Sequence, residues 1–179
     1  QLFKKNKHKV IKIYKGYNPD WFKDITPFNF CSIGIPKNSI VVAFAGSNTK
    51  NKRISDFIKS SQYLSTEKEV HYIIFGKDTI DTGLEKYKKE SPIKNNIHIL
   101  GLRTDAISLI KGSNLYVQTS LSEGFGRAIS EAMSVGKPII MTDAGGCTEL
   151  IDESCGIITP TRNPEAVGKA ISSLVNNDK

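Results

Sequence analysis

Two glutamates, Glu123 and Glu131, are separated by seven residues in a stretch that also contains Gly124 and Gly126. The stretch follows an apolar run and leads into a helical pattern, so the glycines are expected to turn the chain tightly and expose its amides. The first turn of the following helix offers free N–H groups and the positive end of a helix dipole, which suit a phosphate group. Carboxylates suit sugar hydroxyls instead, because they accept hydrogen bonds. The combination predicts a ligand with a central diphosphate and hydroxylated rings at both ends.

Alternating apolar and helical segments from Ser39 onward must position these residues. We predict strands over Ile40–Ala45, Val70–Phe75, Ile97–Leu100, Leu115–Gln118, Pro138–Met141 and Gly156–Ile158. We predict helices over about Arg53–Leu64, Leu84–Lys89, Thr104–Lys111, Gly126–Val135, Cys147–Ile151 and Pro164–Val175. Runs that are apolar on both faces are typical of buried parallel strands. The predicted fold is therefore α/β, a Rossmann-like doubly wound parallel sheet of about six strands with right-handed crossovers.

In a sheet of this kind, ligands bind beyond the carboxyl ends of the strands. The loops in which a site is expected begin near Gly46, Gly76, Gly101, Thr119, Thr142 and Thr159. Two of the helices have start signals, since Thr104-Asp105 and Asn163-Pro164 can each supply a cap.

The composition is that of a globular protein, with 39% apolar and 24% charged residues in 179. No apolar run approaches the length that crosses a bilayer, and the N-terminus does not resemble a signal peptide. The missing initiator methionine suggests an excised fragment. We expect a cytoplasmic protein that could associate with the inner face of the membrane.

Six lysines among the first 15 residues supply most of the net charge of +7. This arm could contact nucleic acid or an anionic membrane, or it could be a solvated interdomain segment, which we favour. It lacks aromatic residues interleaved for stacking on bases, so we expect no nucleic-acid partner and allow a peripheral membrane contact. Its segment Val10–Tyr14 alternates like a short strand.

The cysteines and histidines do not predict a metal site. Cys31, Cys147 and Cys155 are widely spaced, and reduced, partly buried thiols are expected. His71 and His98 fall in predicted strands, and we interpret them as sheet residues.

The motif Ser120-x-x-Glu123-Gly-Phe-Gly-x-x-x-x-Glu131-Ala-Met resembles that of family 4 of the retaining glycosyltransferases with the GT-B fold. Further segments resemble the same family in the same order: Tyr14-Lys-Gly-Tyr-Asn18, Gly101-Leu-Arg-Thr-Asp105, Gly136-Lys-Pro-Ile-Ile140 and Asp143-Ala-Gly-Gly-x-x-Glu149. The resemblance runs from about residue 10 to the end.

The resemblance implies roles for individual residues. Glu123 would hold hydroxyls of the donor sugar, and Glu131 would accept from the ribose hydroxyls of the nucleotide. The backbone amides of Gly124, Phe125 and Gly126 would face sugar or phosphate oxygens. Leu102 or its neighbour would contact the base, largely through the backbone. Arg127, within the motif that contains the two glutamates, is assigned to the donor site.

The family also places a Gly-Arg pair after its first strand and a lysine shortly beyond, which grip the diphosphate. Here Gly46 is followed by Ser47, while Lys52 stands near the place of the lysine and is followed by Arg53. We therefore assign Gly46, Ser47 and Arg53 to the donor site and Lys52, with Glu123, to catalysis. The arginine role has either moved to Arg53 or is absent.

The implied reaction is the retaining transfer of a sugar, of the hexosyltransferase type, from a nucleotide diphosphate, in polysaccharide or glycoconjugate synthesis. No metal or cofactor is expected, since a helix N-terminus and Lys52 can stabilise the leaving diphosphate. Residues 1–38 would form a connection and lead-in segment and residues 39–179 the nucleotide-sugar-binding domain. The acceptor would bind a separate N-terminal domain, absent from this chain, so the chain alone is expected not to transfer sugar.

Two other functions stay open at this point. A nucleotide-sugar epimerase half can share the architecture but needs acid and base groups that the sequence does not identify. A non-catalytic nucleotide-binding or signalling module can share the open sheet, because a fold does not determine a function.

Overall fold

The computed structural model describes residues 16, 18–80 and 83–177, and in that part of the chain six strands form one parallel sheet. The strands are β1 (Ile40–Ala45), β2 (Val70–Phe75), β3 (Ile97–Ile99), β4 (Leu115–Gln118), β5 (Ile139–Thr142) and β6 (Gly156–Thr159). Their order across the sheet is β3-β2-β1-β4-β5-β6. The chain runs outward from β1 to β3 and then returns to the other side of β1, so the order reverses between β1 and β4. Ligands of open α/β sheets bind at this reversal.

The described ranges contain five α-helices, of which four connect consecutive strands and the fifth follows β6. They are α1 (Ile54–Ser60), α2 (Leu84–Lys89), α3 (Ala106–Gly112), α4 (Arg127–Ser134) and α5 (Pro164–Asn176). Short 3-10 helices cover Pro19–Phe22, Phe30–Ile33, Ser61–Tyr63, Lys94–Asn96 and Gly146–Leu150.

Two apolar cores lie on opposite faces of the sheet, because successive strand residues point to opposite sides. On one face, Ala43 and Tyr116 pack with Leu109 of α3 and Ile129 of α4. On the other face, strand residues pack with α1, α2 and α5. There the ring of Phe57 stacks on Phe44 and Tyr72, with centroid distances of 5.6 and 4.3 Å.

The predicted fold class and all six strands are confirmed, and the strand boundaries agree to within one residue. The first predicted helix, Arg53–Leu64, is too long, since α1 ends at Ser60 and a 3-10 helix follows. The hydroxyls of Ser60 and Ser61 donate to the carbonyls of Phe57 and Ile58, both at 2.6 Å, and such local bonds compete with helix propagation.

Two further helix predictions differ from the structure. The sequence predicts a helix over Cys147–Ile151, whereas the structure has a 3-10 helix at Gly146–Leu150, in which Thr148 N donates to Gly145 O at 3.0 Å. The helix predicted from Thr104 begins at Ala106 and has no side-chain cap, because the Asp105 carboxylate is bonded to Arg103 instead. The Asn163 cap is confirmed, since its side chain accepts from Ala166 N at 3.0 Å.

The described part of the lead-in segment before β1 contains two short 3-10 helices, and aromatic residues anchor its later half. Phe30 is buried and lies 5.1 Å from the ring of Phe28, whose N–H donates to Ser108 O at 2.9 Å. Trp21, in contrast, is 63% exposed. The strand predicted over Val10–Tyr14 lies outside the described residues.

None of the helices in the described ranges is long and apolar enough to cross a membrane.

Candidate functional site

A cavity of about 610 Å³ opens at the carboxyl edge of the sheet, where the strand order reverses. It is bounded by the ends of β1 and β2, the loops after β1, β3 and β4, and the first turn of α4. Its lining residues are Ala45, Gly46, Ser47, Lys52, Phe75, Gly76, Lys77, Leu102, Arg103, Ala106, Glu123, Arg127, Ala128 and Glu131.

The loops after β1 and β4 are tied together by hydrogen bonds. The Thr119 hydroxyl lies 3.1 Å from Lys52 O and 2.9 Å from Arg53 O. Asn51 donates through its side chain to Ser122 O and accepts from Leu121 N, both at 2.8 Å. These bonds hold the two loops in register, and they bring Lys52 and Glu123 together across 71 positions of sequence.

Lys52 and Glu123 form an ion pair through Nζ and Oε1. The side chains of Lys52 and Glu123 are 25% and 13% exposed, so most of the surface of the pair is buried. The same Oε1 also accepts from the Ser120 hydroxyl at 2.7 Å. An ammonium has three donors and a carboxylate two acceptor oxygens, so both groups retain capacity for a ligand.

A chain of polar side chains supports Glu123 from inside the protein. The amide nitrogen of Gln118 donates to Ser120 Oγ at 2.8 Å, and the Tyr116 hydroxyl lies 2.7 Å from Gln118 Oε1. Burial raises the pKa of Tyr116, and the negative charges of Glu131 and Glu123 raise that pKa further. Both carboxylates therefore act on the same buried hydroxyl, and Tyr116 stays a neutral hydrogen-bonding group.

The loop after β5 packs directly against the loop that carries Glu123. Glu123 N donates to Ala144 O at 2.7 Å, and Glu123 pairs with Gly145 in an isolated parallel bridge. A Cβ atom at Gly146 would stand 2.5 Å from Gly124 O, which no side chain tolerates. The lack of a side chain at Gly146 thus allows the two loops to touch, which sets the position of Glu123.

Helix α4 begins at Arg127 with Gly126 as its N-cap, and no side chain caps it. Its first turn borders the cavity, so its N–H groups and positive dipole end are available to an anionic ligand there. Glu131, one turn later, has a side chain that is 20% exposed, and its Oε1 lies 3.7 Å from Arg127 Nε.

The structure brings most of the predicted site residues to this cavity. Those that line it are Gly46, Ser47, Lys52, Leu102, Glu123, Arg127 and Glu131. Those that lie outside its lining are Arg53, Gly124, Phe125 and Gly126. Arg53 turns away because its guanidinium binds both oxygens of Asp56, at 2.8 and 2.7 Å.

Four lining residues with functional potential are not among the predicted site residues. Phe75 ends β2 and Lys77 follows Gly76, while Arg103 and Ala106 follow the end of β3. The sequence indicates these residues only through their positions near Gly76 and Gly101, where loops that should contain a site begin. Arg103 is held by the carboxylate of Asp105, at 2.8 and 2.7 Å, which lowers the pKa of Asp105.

The three cysteines are free; Cys31 is exposed, Cys147 buried and Cys155 partly buried. Burial raises the pKa of Cys147, and the charge of Glu123 raises it further. Within residues 16, 18–80 and 83–177, no three His, Cys, Asp or Glu side chains are grouped so that they could hold a metal ion.

The predicted sheet histidines lie at the other end of the sheet. His71 is in β2 and His98 in β3, and His71 Nδ1 lies 3.0 Å from His98 Nε2. They do not line the cavity, and they are residues of the sheet, as predicted.

A family model matches residues 26–179, and its description is Glycosyl transferases group 1. The chain is 27% identical over 185 residues to an uncharacterized glycosyltransferase of Methanocaldococcus jannaschii, covering 98% of this chain and 47% of that protein. It is 28% identical over 151 residues to the N,N'-diacetylbacillosaminyl-diphospho-undecaprenol alpha-1,3-N-acetylgalactosaminyltransferase of Campylobacter jejuni, covering 83% of this chain and 38% of that enzyme. The chain thus spans about half, or less, of the length of these relatives.

Solved glycosyltransferase structures share the fold. Anabaena HepE in complex with UDP and glucose superposes with a TM-score of 0.79 at 23% identity, covering 92% of this chain and 47% of that one. A glycosyltransferase from Rickettsia africae superposes with a TM-score of 0.84 at 22% identity, covering 95% and 48%.

Proposed function

The chain belongs to the family of group 1 glycosyl transferases, and from that premise we propose that its carboxyl-edge cavity binds the nucleotide diphosphate sugar donor of a retaining sugar transfer. The observation that carries the proposal is the cavity itself, the donor cavity from here on. It combines an uncapped helix start, one ion-paired lysine and two carboxylates at the reversal point of a parallel sheet.

Each part of the donor cavity suits one part of such a donor. The start of α4 and Lys52 Nζ would face the diphosphate, where negative charge grows as the glycosidic bond breaks. Glu131 would accept from the ribose hydroxyls and Glu123 from the sugar hydroxyls. Leu102, a residue that is 75% exposed at the rim, would contact the base.

The Lys52–Glu123 pair links these tasks. Glu123 holds Lys52 at the cavity wall. A sugar whose hydroxyls donate hydrogen bonds to the Glu123 carboxylate would therefore lie next to the ammonium that stabilises the leaving diphosphate. Such a fixed charge is most effective where water is excluded, since its electrostatic effect is then little screened. The partly buried pair meets that condition.

The names of the relatives support a proposal about the acceptor of the sugar. Their names include a transferase to a diphospho-undecaprenol acceptor in Campylobacter jejuni and an O-antigen biosynthesis glycosyltransferase of Escherichia coli. We infer that the complete protein acts in polysaccharide or glycoconjugate synthesis and that the acceptor occupies a further domain.

A binding titration tests the donor proposal. The chain is titrated with UDP-, GDP- and ADP-sugars and the matching nucleoside diphosphates, in the presence of a chelator. One nucleotide series should bind at one equivalent without metal, and Glu131→Ala should weaken it. Absence of binding by every nucleotide would exclude the proposal, as would binding that Glu131→Ala leaves unchanged.

A further inference from the structure

A second cavity, of about 580 Å³, lies at the carboxyl end of the sheet on the side of α1, α2 and α5. It is bounded by the loop after β1, the start of α1, the start of α2 and the turn after β6. Its described lining residues are Asn48, Thr49, Lys50, Arg53, Ile54, Ser55, Gly83, Leu84, Lys86, Tyr87, Leu121 and Arg162. We refer to it as the basic cavity.

The lining of the basic cavity is strongly positive. It contains four cationic side chains, Lys50, Arg53, Lys86 and Arg162, and none of its described members is a carboxylate. Arg53 is neutralised by Asp56, which lies just outside the lining. Lys50, Lys86 and Arg162 form no ion pair with any residue that the structure describes.

Three separate elements bring these charges together. Lys50 comes from the loop after β1, Lys86 from α2, and Arg162 from the turn after β6, where its φ of 57° is a conformation unusual for a residue other than glycine. Two ammonium groups lie near the Tyr87 ring: Lys86 Nζ is 4.7 Å and Lys59 Nζ is 5.0 Å from its centroid. Like charges held in one concave surface repel each other, and a bound anion would relieve that repulsion.

The basic cavity differs in chemistry from the donor cavity beside it. The donor cavity contains Glu123 and Glu131, which suit hydroxyl groups, whereas the described lining residues of the basic cavity offer cations and neutral donors such as the Thr49 and Ser55 hydroxyls. The loop after β1 separates the two, with Lys52 in the donor cavity and Lys50 and Arg53 in the basic cavity. The linings of the two cavities have no residue in common.

We propose that the basic cavity binds a phosphate or diphosphate group of a second ligand, distinct from the nucleotide donor. Lysine and arginine are the residues that bind phosphate most strongly, through charge-assisted hydrogen bonds. The hydroxyl groups add neutral donors for the remaining oxygens. The phosphate could belong to a small soluble molecule or to a lipid headgroup, and the two sources present the same chemistry to these side chains.

Charge-removing variants on one helix test the proposal. Lys86→Gln and Lys89→Gln each remove one exposed charge from α2, but only Lys86 lines the cavity. Inorganic pyrophosphate is titrated into the 179-residue chain and both variants by calorimetry, with amide NMR shifts locating the site. We expect Lys86→Gln to weaken binding about tenfold, as loss of a charge-assisted hydrogen bond does, and Lys89→Gln to leave it unchanged. Arg162→Asn, which keeps a residue tolerant of positive φ, should act like Lys86→Gln.

Vesicles distinguish the two sources of phosphate. Flotation is compared for phosphatidylglycerol and phosphatidylcholine vesicles with the same variants. Selective loss of phosphatidylglycerol binding in Lys86→Gln assigns the site to a lipid headgroup, whereas loss of pyrophosphate binding alone assigns it to a soluble ligand.

Three results would overturn the proposal: no binding of either probe, equal losses in Lys86→Gln and Lys89→Gln, or shifts confined to the donor cavity. Lys52→Ala separates this test from that of the donor site, because it should leave the basic cavity intact. Failure of nucleotide binding would therefore not remove the expected effect of Lys86→Gln on pyrophosphate.

Discussion

Contacts with the protein position both carboxylates of the donor cavity. Glu123 is held by Lys52 and Ser120, and Glu131 Oε1 lies 3.7 Å from Arg127 Nε. Glu123 thus has its orientation set before a ligand arrives, and Glu131 lies on a rigid helix at a fixed distance from the start of α4.

Glu131→Ala should weaken binding of the free nucleoside diphosphate even when no sugar is attached. Loss of one charge-assisted hydrogen bond to ribose costs about 1.5–3 kcal/mol, which is a rise in Kd of roughly ten- to a hundredfold. Calorimetric titration measures it, and circular dichroism checks that the variant is folded. An unchanged Kd in the folded variant would contradict the ribose role.

Glu123→Ala is expected to weaken binding of the nucleotide sugar far more than binding of the nucleoside diphosphate.

Lys52→Ala should weaken nucleoside diphosphate binding about tenfold and affect the monophosphate less, since it removes an ammonium beside the diphosphate. The difference should shrink as salt is added. Arg53→Ala is the matched control, because the Arg53 guanidinium is bonded to Asp56 outside the donor cavity. Its expected effect is lower stability from the uncompensated, buried Asp56 carboxylate. A diphosphate-selective loss in Arg53→Ala but not in Lys52→Ala would reverse the assignment.

At the scale of elements, close backbone contact between strand ends shapes the donor cavity. Gly76 follows β2 with a φ of +144°, and a Cβ atom there would stand 2.2 Å from Gly46 O. The loop after β1 can therefore lie against the end of β2 only because Gly76 lacks a side chain.

Gly76→Ala should lower the free energy of unfolding by about 3 kcal/mol or more, since backbone strain and a backbone clash add together. Gly34→Ala is the control, with a φ of +85° but nothing within 4 Å of an added Cβ, and about 1 kcal/mol is expected there. Urea denaturation of both variants measures the difference. Equal destabilisation would show that the contact between the strand ends can relax.

The histidine pair at the opposite end of the sheet predicts a pH dependence of stability. Burial lowers the pKa of His98 below its ordinary value of 6.5, and the charges of His71 and Lys88 lower it further. Glu69, which lies 3.1 Å from His71 Nε2, is the acidic group beside the pair. The unfolded chain therefore binds a proton at His98 more readily than the folded chain does, so stability is lost as the pH falls below about 6.5.

Urea denaturation between about pH 7.5 and 5 measures this dependence, and His98→Gln should flatten it. The variant cannot take up the proton but can still hydrogen bond to His71. A slope in this range that His98→Gln leaves unchanged would place the titration elsewhere.

At the scale of the whole molecule, we propose that the described residues form one wall of a cleft between two domains. The chain contains the proposed donor cavity, and it spans about half the length of the relatives it resembles. Group transfer requires both reactants to be held in reactive geometry, and that contribution can reach about 7–11 kcal/mol.

We therefore predict that the 179-residue chain binds donor but transfers sugar far more slowly than a protein in which an acceptor-binding domain precedes it. Slow hydrolysis of the donor is the expected residual reaction, because water reaches an open site. The assay incubates both proteins with donor and a panel of acceptors and follows product by mass spectrometry. Comparable transfer by the two would contradict the need for a second domain.

The amino-acid sequence is sufficient to predict the sheet and the location of the donor cavity. Buried parallel strands are short apolar runs, and their carboxyl ends must share one edge, so Glu123, Glu131 and Lys52 can be assigned to one region from their positions in the chain. The cap at Asn163 is predictable because it depends on residues within a few positions of each other.

Only the tertiary structure decides which groups meet. Lys52 and Glu123 are 71 positions apart, and their contact depends on hydrogen bonds between the loops after β1 and β4 that local sequence does not encode. Arg53 follows Lys52 directly, yet its guanidinium is bonded to Asp56 and it lies outside the lining of the donor cavity. The basic cavity likewise gathers cationic side chains from three distant segments. Periodicity and spacing describe one element at a time, whereas these contacts arise where several elements end at the same edge of the sheet.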